Sequence, residues 1–290
     1  MRTISQLVSI PNKYLSDDKH YGVEIEVEGE CLPNPNDHSI YGWRIEEDSS
    51  LKTSEAWEYV TTGPDTLVGI RTRLDRLGEC FDQLDSTIHD SVRAGVHVHM
   101  NVQSWNMKQV MTFAMCYYIV EDILLKYCGS NREGNLFTLR TKDAEFILFK
   151  LLEMLKGRNL KVLETDIIRY ASLNYLSLFK YGTIEFRGMR STGNLDDIYK
   201  WVEIIDELRH TSQALFQSPV DVVNAMSGDG EENFIRKLFP NNYAIILAGN
   251  NSFEISVRQA CRRVQMIAFG VDWTALSQPK INVFKEGNGL

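Results

Sequence analysis

Residues 21–29 read Tyr-Gly-Val-Glu-Ile-Glu-Val-Glu-Gly, and this strict alternation constrains the chain more than any other segment. Successive side chains of an extended strand point to opposite faces. Val23, Ile25 and Val27 therefore share one face, and Glu24, Glu26 and Glu28 the other. A helix would scatter the same residues around its circumference and offer no apolar stripe to a core. The alternation predicts a strand with one buried face and one face carrying a row of carboxylates.

Four further segments read as strands: Tyr41 to Glu46, Glu55 to Thr62, Gly95 to Val102 and Thr183 to Met189. Between and after them lie helical patterns. Leu67, Ile70, Leu74, Leu77 and Phe81 form one stripe over residues 66–84, and apolar helices are predicted over 105–127 and 142–156. A helix is also predicted over 195–216, with Asn194 or Asp196 as its N-cap. Shorter ones fall at 232–238 and 253–269. Residues 171–181 fit neither period. Strands that alternate strictly, with helices grouped between them, favour an α+β fold built on an antiparallel sheet. Residues 1–220 are expected to form one catalytic domain and 221–290 a helical extension packed on it; no internal repeat is present.

Composition narrows the function classes. Lys plus Arg number 31 against 39 Asp plus Glu, a formal charge of −8, which disfavours a nucleic-acid binder. The five cysteines are widely spaced with no CxxC pair, which argues against a disulfide framework or a cysteine-built zinc site. The most apolar helical window, Met111 to Leu125, is interrupted by Glu121 and Asp122 and is too short to span a bilayer. The expectation is a cytoplasmic protein without a membrane partner.

Three predicted strands carry chemistry on one face: Glu24, Glu26 and Glu28; His97 and His99; Glu185 and Arg187. For any one of them the ordinary reading is a solvated sheet face. Three together weaken that reading, because a solvated face mixes in Thr, Ser, Lys and Gln, and these faces barely do. Carboxylates crowded on one face repel each other and call for a cation between them. Glu24, Glu26 and Glu58 offer the oxygen ligands that Mg²⁺ prefers, His97 and His99 offer nitrogen ligands or donors to phosphate, and Arg187 offers a fixed fork for an anion. Asp48 either caps its turn or approaches the metals. The chain holds no HExxH, GxxxxGK[ST] or GxGxxG. The residues alone leave open a metal-dependent hydrolase, a guanidino phosphotransferase, or a non-catalytic binding module on the same strands.

In order along the chain, the motifs Gly22-Val-Glu-Ile-Glu26, Trp43 with Asp48-Ser-Ser-Leu51, Glu58-Tyr-Val with Gly63-Pro64, Gly95-Val-His-Val-His99, Arg169-Tyr-Ala-Ser-Leu-Asn174 and Thr183-Ile-Glu-Phe-Arg187 resemble those of the amidoligases. That family is similar to glutamate–cysteine ligase and glutamine synthetase. The resemblance implies a glutamine-synthetase-like curved antiparallel sheet with helices on its convex face. It further implies ATP, two or more Mg²⁺ ions and an acylphosphate intermediate on the concave one. Glu24, Glu26, Glu58, Glu185 and His97 would be metal ligands, and His97, Arg187, Arg169 and Asn174 would bind nucleotide or substrate. Arg187, His99 and Glu185 would be catalytic. An Arg following the long helix, here Arg132, would reach the site. The partners implied are an amino-acid, peptide or protein carboxylate and an amine. Glu28 and Glu30 extend the first carboxylate row beyond the family pattern, and nothing after residue 220 matches it.

Overall fold

The computed structural model describes residues 1–8, 10, 20–51, 55–165 and 168–277. In chain order these form α1 (Ile4–Leu7), β1 (Tyr21–Glu30), β2 (Trp43–Glu46), β3 (Ala56–Thr61), α2 (Leu67–Gln83), β4 (Thr87–Ile88), β5 (Gly95–Asn101) and α3 (Met107–Cys128). There follow α4 (Phe146–Gly157), β6 (Leu173–Asn174), α5 (Ser177–Lys180), β7 (Thr183–Arg190), α6 (Leu195–Leu215) and α7 (Pro219–Asp229). The chain closes with α8 (Glu231–Leu238), α9 (Tyr243–Leu247), α10 (Phe253–Ala268) and α11 (Trp273–Ser277). The fold is α+β, with a seven-stranded sheet in the order β2-β3-β1-β5-β7-β6 and β4 paired with the far end of β1. Every pairing is antiparallel.

The alternation of β1 is used as its sequence demands. Val23, Ile25 and Val27 are fully buried, together with Val96, Val98, Met100, Ile184 and Phe186 of the neighbouring strands. Helices cover this apolar face. Phe113 and Tyr117 of α3 and Trp201 of α6 meet Phe186 edge-on, with ring centroids 5.4–6.4 Å apart. In α2, the buried stripe Ile70, Leu74, Leu77 and Phe81 is the one its spacing requires. Further out, α7 and α10 pack on α3.

Side-chain caps set the starts of α3, α6 and α7. Asn106 and Gln109 form a reciprocal capping box that starts α3 at residue 107. Asn194 accepts from Asp196 N to start α6. The sequence reading places no helix at 219–229, yet α7 begins with Ser218 accepting from Asp221 N and Pro219 in its first turn. This cap-plus-proline start was the missed signal.

Strand β7 departs from regularity at one point. Val96 pairs with Met189 but Val98 pairs with Phe186, so Arg187 and Gly188 together oppose His97. Such a bulge inserts one residue and re-aims the side chain beside it. At Gly188 an added Cβ would lie 2.4 Å from Leu125 Cδ2 of α3, so a larger residue there would have to displace that side chain.

A candidate active site on the polar face of the sheet

Residues opposite one another in an antiparallel pair share a face, so the register arranges the polar side chains in transverse rows. Gly22, His99, Glu185 and Asn174 align across β1, β5, β7 and β6. Arg44, Val60, Glu24 and His97 form the next row, and Glu46, Glu58 and Glu26 the third. Residues far apart in sequence are thereby gathered into one cluster.

His97 sits at its centre, 3% exposed. Its Nδ1 is 3.4 Å from Glu24 Oε2, 3.8 Å from Glu185 Oε1 and 3.5 Å from an Arg187 Nη1, and its Nε2 is 3.8 Å from Glu26 Oε1. His99 Nδ1 contacts Thr183 Oγ1 at 3.0 Å. Its Nε2 lies 3.2 Å from Glu24 Oε1 and 4.0 Å from Glu185 Oε2. These are ion-pair contacts outside hydrogen-bonding alignment, so this buried nitrogen has no hydrogen-bond partner. Arg187, delivered by the bulge, pairs with Glu185 through Nη1, while its buried Nε is unpartnered. Asn174 Nδ2 donates to Glu185 Oε2 at 2.8 Å, and Gly95 N donates to Glu26 Oε2 at 2.9 Å.

The carboxylates divide by environment. Burial raises the pKa of Glu24, but His99 and His97 overcome it and hold the group well below the usual range. Glu185 is also lowered, because Arg187 and both histidines outweigh its burial. Glu26 is raised by burial in spite of His97 and Arg187. Glu58 is pushed up to about 8, by burial first and then by Glu24, Glu26, Asp48 and Glu46. The third row thus brings together more carboxyl groups than the chain supplies cations for, and they retain protons in consequence.

Two triads bring ligand atoms within 4.8 Å of one another: Glu24, His99 and Glu185, and Glu24, Glu58 and His97. Both contain Glu24. The donor chemistry fits divalent ions that keep water ligands, Mg²⁺ or Mn²⁺, with imidazole as a borderline nitrogen ligand. The crowded carboxylates around Glu58 are what such ions would satisfy.

Not every residue singled out in the sequence joins the cluster. Arg169 is exposed, with its guanidinium 5.2 Å from the Tyr170 ring centroid. Glu28 is only partly buried and belongs to neither triad, and Glu30 is exposed, 3.9 Å from His89. Asp48 caps its own turn, accepting from Ser50 N at 2.7 Å and Ser50 Oγ at 2.9 Å, yet its charge is felt by Glu26 and Glu58. Arg132 does reach the cluster. It is 1% exposed and donates through Nη2 to Arg187 O at 2.9 Å. It crosses Gly95 so closely that a Cβ there would lie 2.9 Å from Nη2. Burial lowers its pKa to about 10, against the opposing pull of Glu26.

Beyond the first row lies a cavity of about 180 Å³, lined by Gly22, Glu24, His99, Thr61, Pro64 and Tyr181 among others. Gly22 forms part of its wall, where an added Cβ would lie 3.3 Å from Thr61 Oγ1 and 3.7 Å from His99 Cβ.

Residues 17–208 match the family model described as "putative amidoligase enzyme", and the match contains every strand of the sheet. The chain belongs to this amidoligase family. No curated protein matches it. Membership makes it a ligase-type enzyme, acting in general on a carboxylate and an amine. No helix among the described residues is long and apolar enough to cross a membrane.

Proposed function

We propose that this amidoligase joins a carboxylate to an amine at the expense of ATP, through an acylphosphate. The observation that carries the reading is the cluster of buried Glu26, Glu185, His97 and His99 with half-buried Glu24, Glu58 and Arg187, whose carboxylates exceed the cations its own chain supplies. A carboxylate does not condense with an amine at neutral pH because its oxygen is a poor leaving group. Transfer of the γ-phosphoryl group to that oxygen, with departure of ADP, solves this. The amine then attacks the carbonyl carbon and phosphate leaves.

Glu24, Glu58 and Glu185, with His97 and His99, would hold divalent ions, and Glu26 lies close enough to His97 to join them. When bound, such ions neutralise phosphate oxygens and hold the nucleotide in line. The other roles fall to the chain. Arg187 has a buried, unpartnered Nε and a fork fixed by Glu185; it stabilises charge developing on the moving phosphoryl group. Asn174 orients Glu185. The proton lost by the attacking amine leaves with the departing phosphate or passes to whichever carboxylate of the cluster holds no ion. The cavity beyond the first row opens beside Glu24 and His99. It fits an amino-acid-sized substrate, leaving the nucleotide along the open polar face.

The test is ADP and phosphate release from ATP and Mg²⁺ across pools of amino acids and amines, with Arg187→Ala as control. Amine-dependent release lost in the control is the expected result. Absence of nucleotide binding at millimolar ATP and Mg²⁺ would overturn the ligase reading and promote a nucleotide-independent metal hydrolase on the same cluster.

A further inference from the structure

The interruption of the apolar run in α3 has a structural counterpart outside the cluster. Glu121 is 2% exposed on the helix-covered side of the sheet. Its Oε2 accepts from Thr141 N at 2.8 Å and Thr141 Oγ1 at 2.6 Å, and its Oε1 accepts from Ser172 Oγ. The hydroxyl of Tyr117, one turn earlier in α3, donates to Ser172 Oγ at 3.2 Å. The donors come from two segments that run side by side: Leu139 N donates to Tyr170 O at 2.7 Å and Ser172 N to Leu139 O at 2.9 Å.

Ser172 opens the segment that ends in β6. That strand is two residues long and lies at the edge of the sheet, so its own ladder does little to fix it. It nevertheless carries Asn174, the donor to Glu185 Oε2, and the Ser172 carbonyl accepts from Arg187 N at 2.9 Å. One residue is thus tied to Glu121 by its hydroxyl and to the active-site strand by its carbonyl.

We propose that Glu121 is a positioning residue of the active site: through Ser172 it fixes residues 172–174, and so holds Asn174 against Glu185 and the backbone of Arg187. Its meaning for turnover rests on the ligase reading, whereas the placement of Asn174 can be read without any activity.

Two substitutions separate positioning from plain stability. Thr141→Val and Ser172→Ala each remove one hydroxyl donor from the same carboxylate, but only Ser172 belongs to the segment that bears Asn174. With ¹⁵N-asparagine labelling of the full chain, the Asn174 side-chain amide resonance is assigned by its loss in Asn174→Asp. It is expected to move in Ser172→Ala and Glu121→Gln and to stay in place in Thr141→Val. In parallel, kcat is expected to fall roughly ten- to hundredfold in the first two, with the KM for ATP unchanged, and to stay within about twofold in Thr141→Val. The proposal is overturned if Ser172→Ala leaves the resonance unmoved, or if Thr141→Val shifts it as far. Either result makes Glu121 a stability node alone. Should Glu121→Gln fail to fold, the two hydroxyl variants still decide, because both keep the carboxylate. Should the wild-type chain show no ligase activity, that reading fails by itself and the resonance alone judges the placement.

Discussion

Two sets of carboxylates withdrawn from solvent, wholly or in part, are built on opposite plans in this molecule. Glu121 accepts from three donors of its own chain, and Glu207 accepts from Asn241 N, Asn241 Nδ2 and Asn242 Nδ2 at 2.7–2.8 Å. On the polar face of the sheet, four glutamates share two histidines, one arginine, one asparagine and one backbone amide, and Glu58 is raised by burial and then by its acidic neighbours. A buried carboxylate supplied with donors is part of the scaffold. A group of them left short of positive charge is organised for something that arrives from solution, and the contrast separates site from scaffold without reference to any homologue.

The largest expected effect breaks the comparison on its functional side. Arg187→Ala and Glu185→Gln should each lower turnover by about 10³-fold or more, the range seen when a charge-stabilising group is removed from a phosphoryl-transfer site. ADP release under saturating ATP and Mg²⁺ measures it. Full activity in both variants would mean that the cluster is not the catalytic site.

Next comes stability, where the two sets should respond with opposite signs. Glu207→Ala strands the buried Asn242 donor and releases two donors of the exposed Asn241, and is expected to cost about 2 kcal/mol in urea unfolding. In metal-free protein at pH 9, Glu58→Gln is expected to stabilise by about 1 kcal/mol, a figure discounted for its partial exposure. Destabilisation by Glu58→Gln would show that Glu58 belongs to the scaffold.

The sheet was legible in the sequence to very different depths. The strands and their faces followed from period-two alternation, because Val23, Ile25 and Val27 can be buried together in only one way. The strand order was not legible, since pairing β1 between β3 and β5 is a long-range choice that no local pattern encodes. For the same reason Glu58 could be proposed as a ligand but not placed opposite Glu26. The β7 bulge was missed although Gly188, a glycine inside a strand, was its signal. Glu121 looked like a mere break in an apolar helix, because its partners Thr141 and Ser172 lie 20 and 51 residues away. What the sequence cannot show is which acids find donors, and that is the property distinguishing the two sets.

The pH dependence sharpens this difference. Glu121 is raised to about 7, mainly by burial, and Glu58 to about 8, so in the native state both bind protons more tightly than in the unfolded chain. Their contribution to stability is fully present below the unfolded pKa near 4.5 and is lost as pH rises through 7 and 8. Metal-free protein should therefore lose about 2 kcal/mol or more between pH 5.5 and 8.5, with Glu24 and Glu185, whose pKa values are lowered, opposing the trend only at the acid end. Millimolar Mg²⁺ or Mn²⁺ should abolish the part that belongs to Glu58 and leave the part that Glu121→Gln removes. Unfolding curves at the two pH values, with and without the metal, measure both parts. An unfolding midpoint that ignores the metal at pH 8.5 would remove the case for a cation at the third row.

The smallest expected effect is at Arg169, where the family resemblance and the geometry part ways. The resemblance puts this arginine on the substrate side, but its guanidinium is exposed and rests on the adjacent Tyr170 ring. An exposed cation–π contact is worth about 0.5–1 kcal/mol at most. Arg169→Ala should therefore change stability by no more than about that amount and turnover by less than about threefold. Arg132→Met, by contrast, removes a buried donor to the Arg187 carbonyl and should impair turnover far more. Measuring the two side by side tests whether burial beside the cluster, and not position in a motif, decides which arginine matters. A tenfold or greater rise in the substrate KM for Arg169→Ala, with Arg132→Met unaffected, would reverse that ordering. Arg169 would then act in a liganded arrangement of the segment before β6, the same segment that Ser172 ties to Glu121.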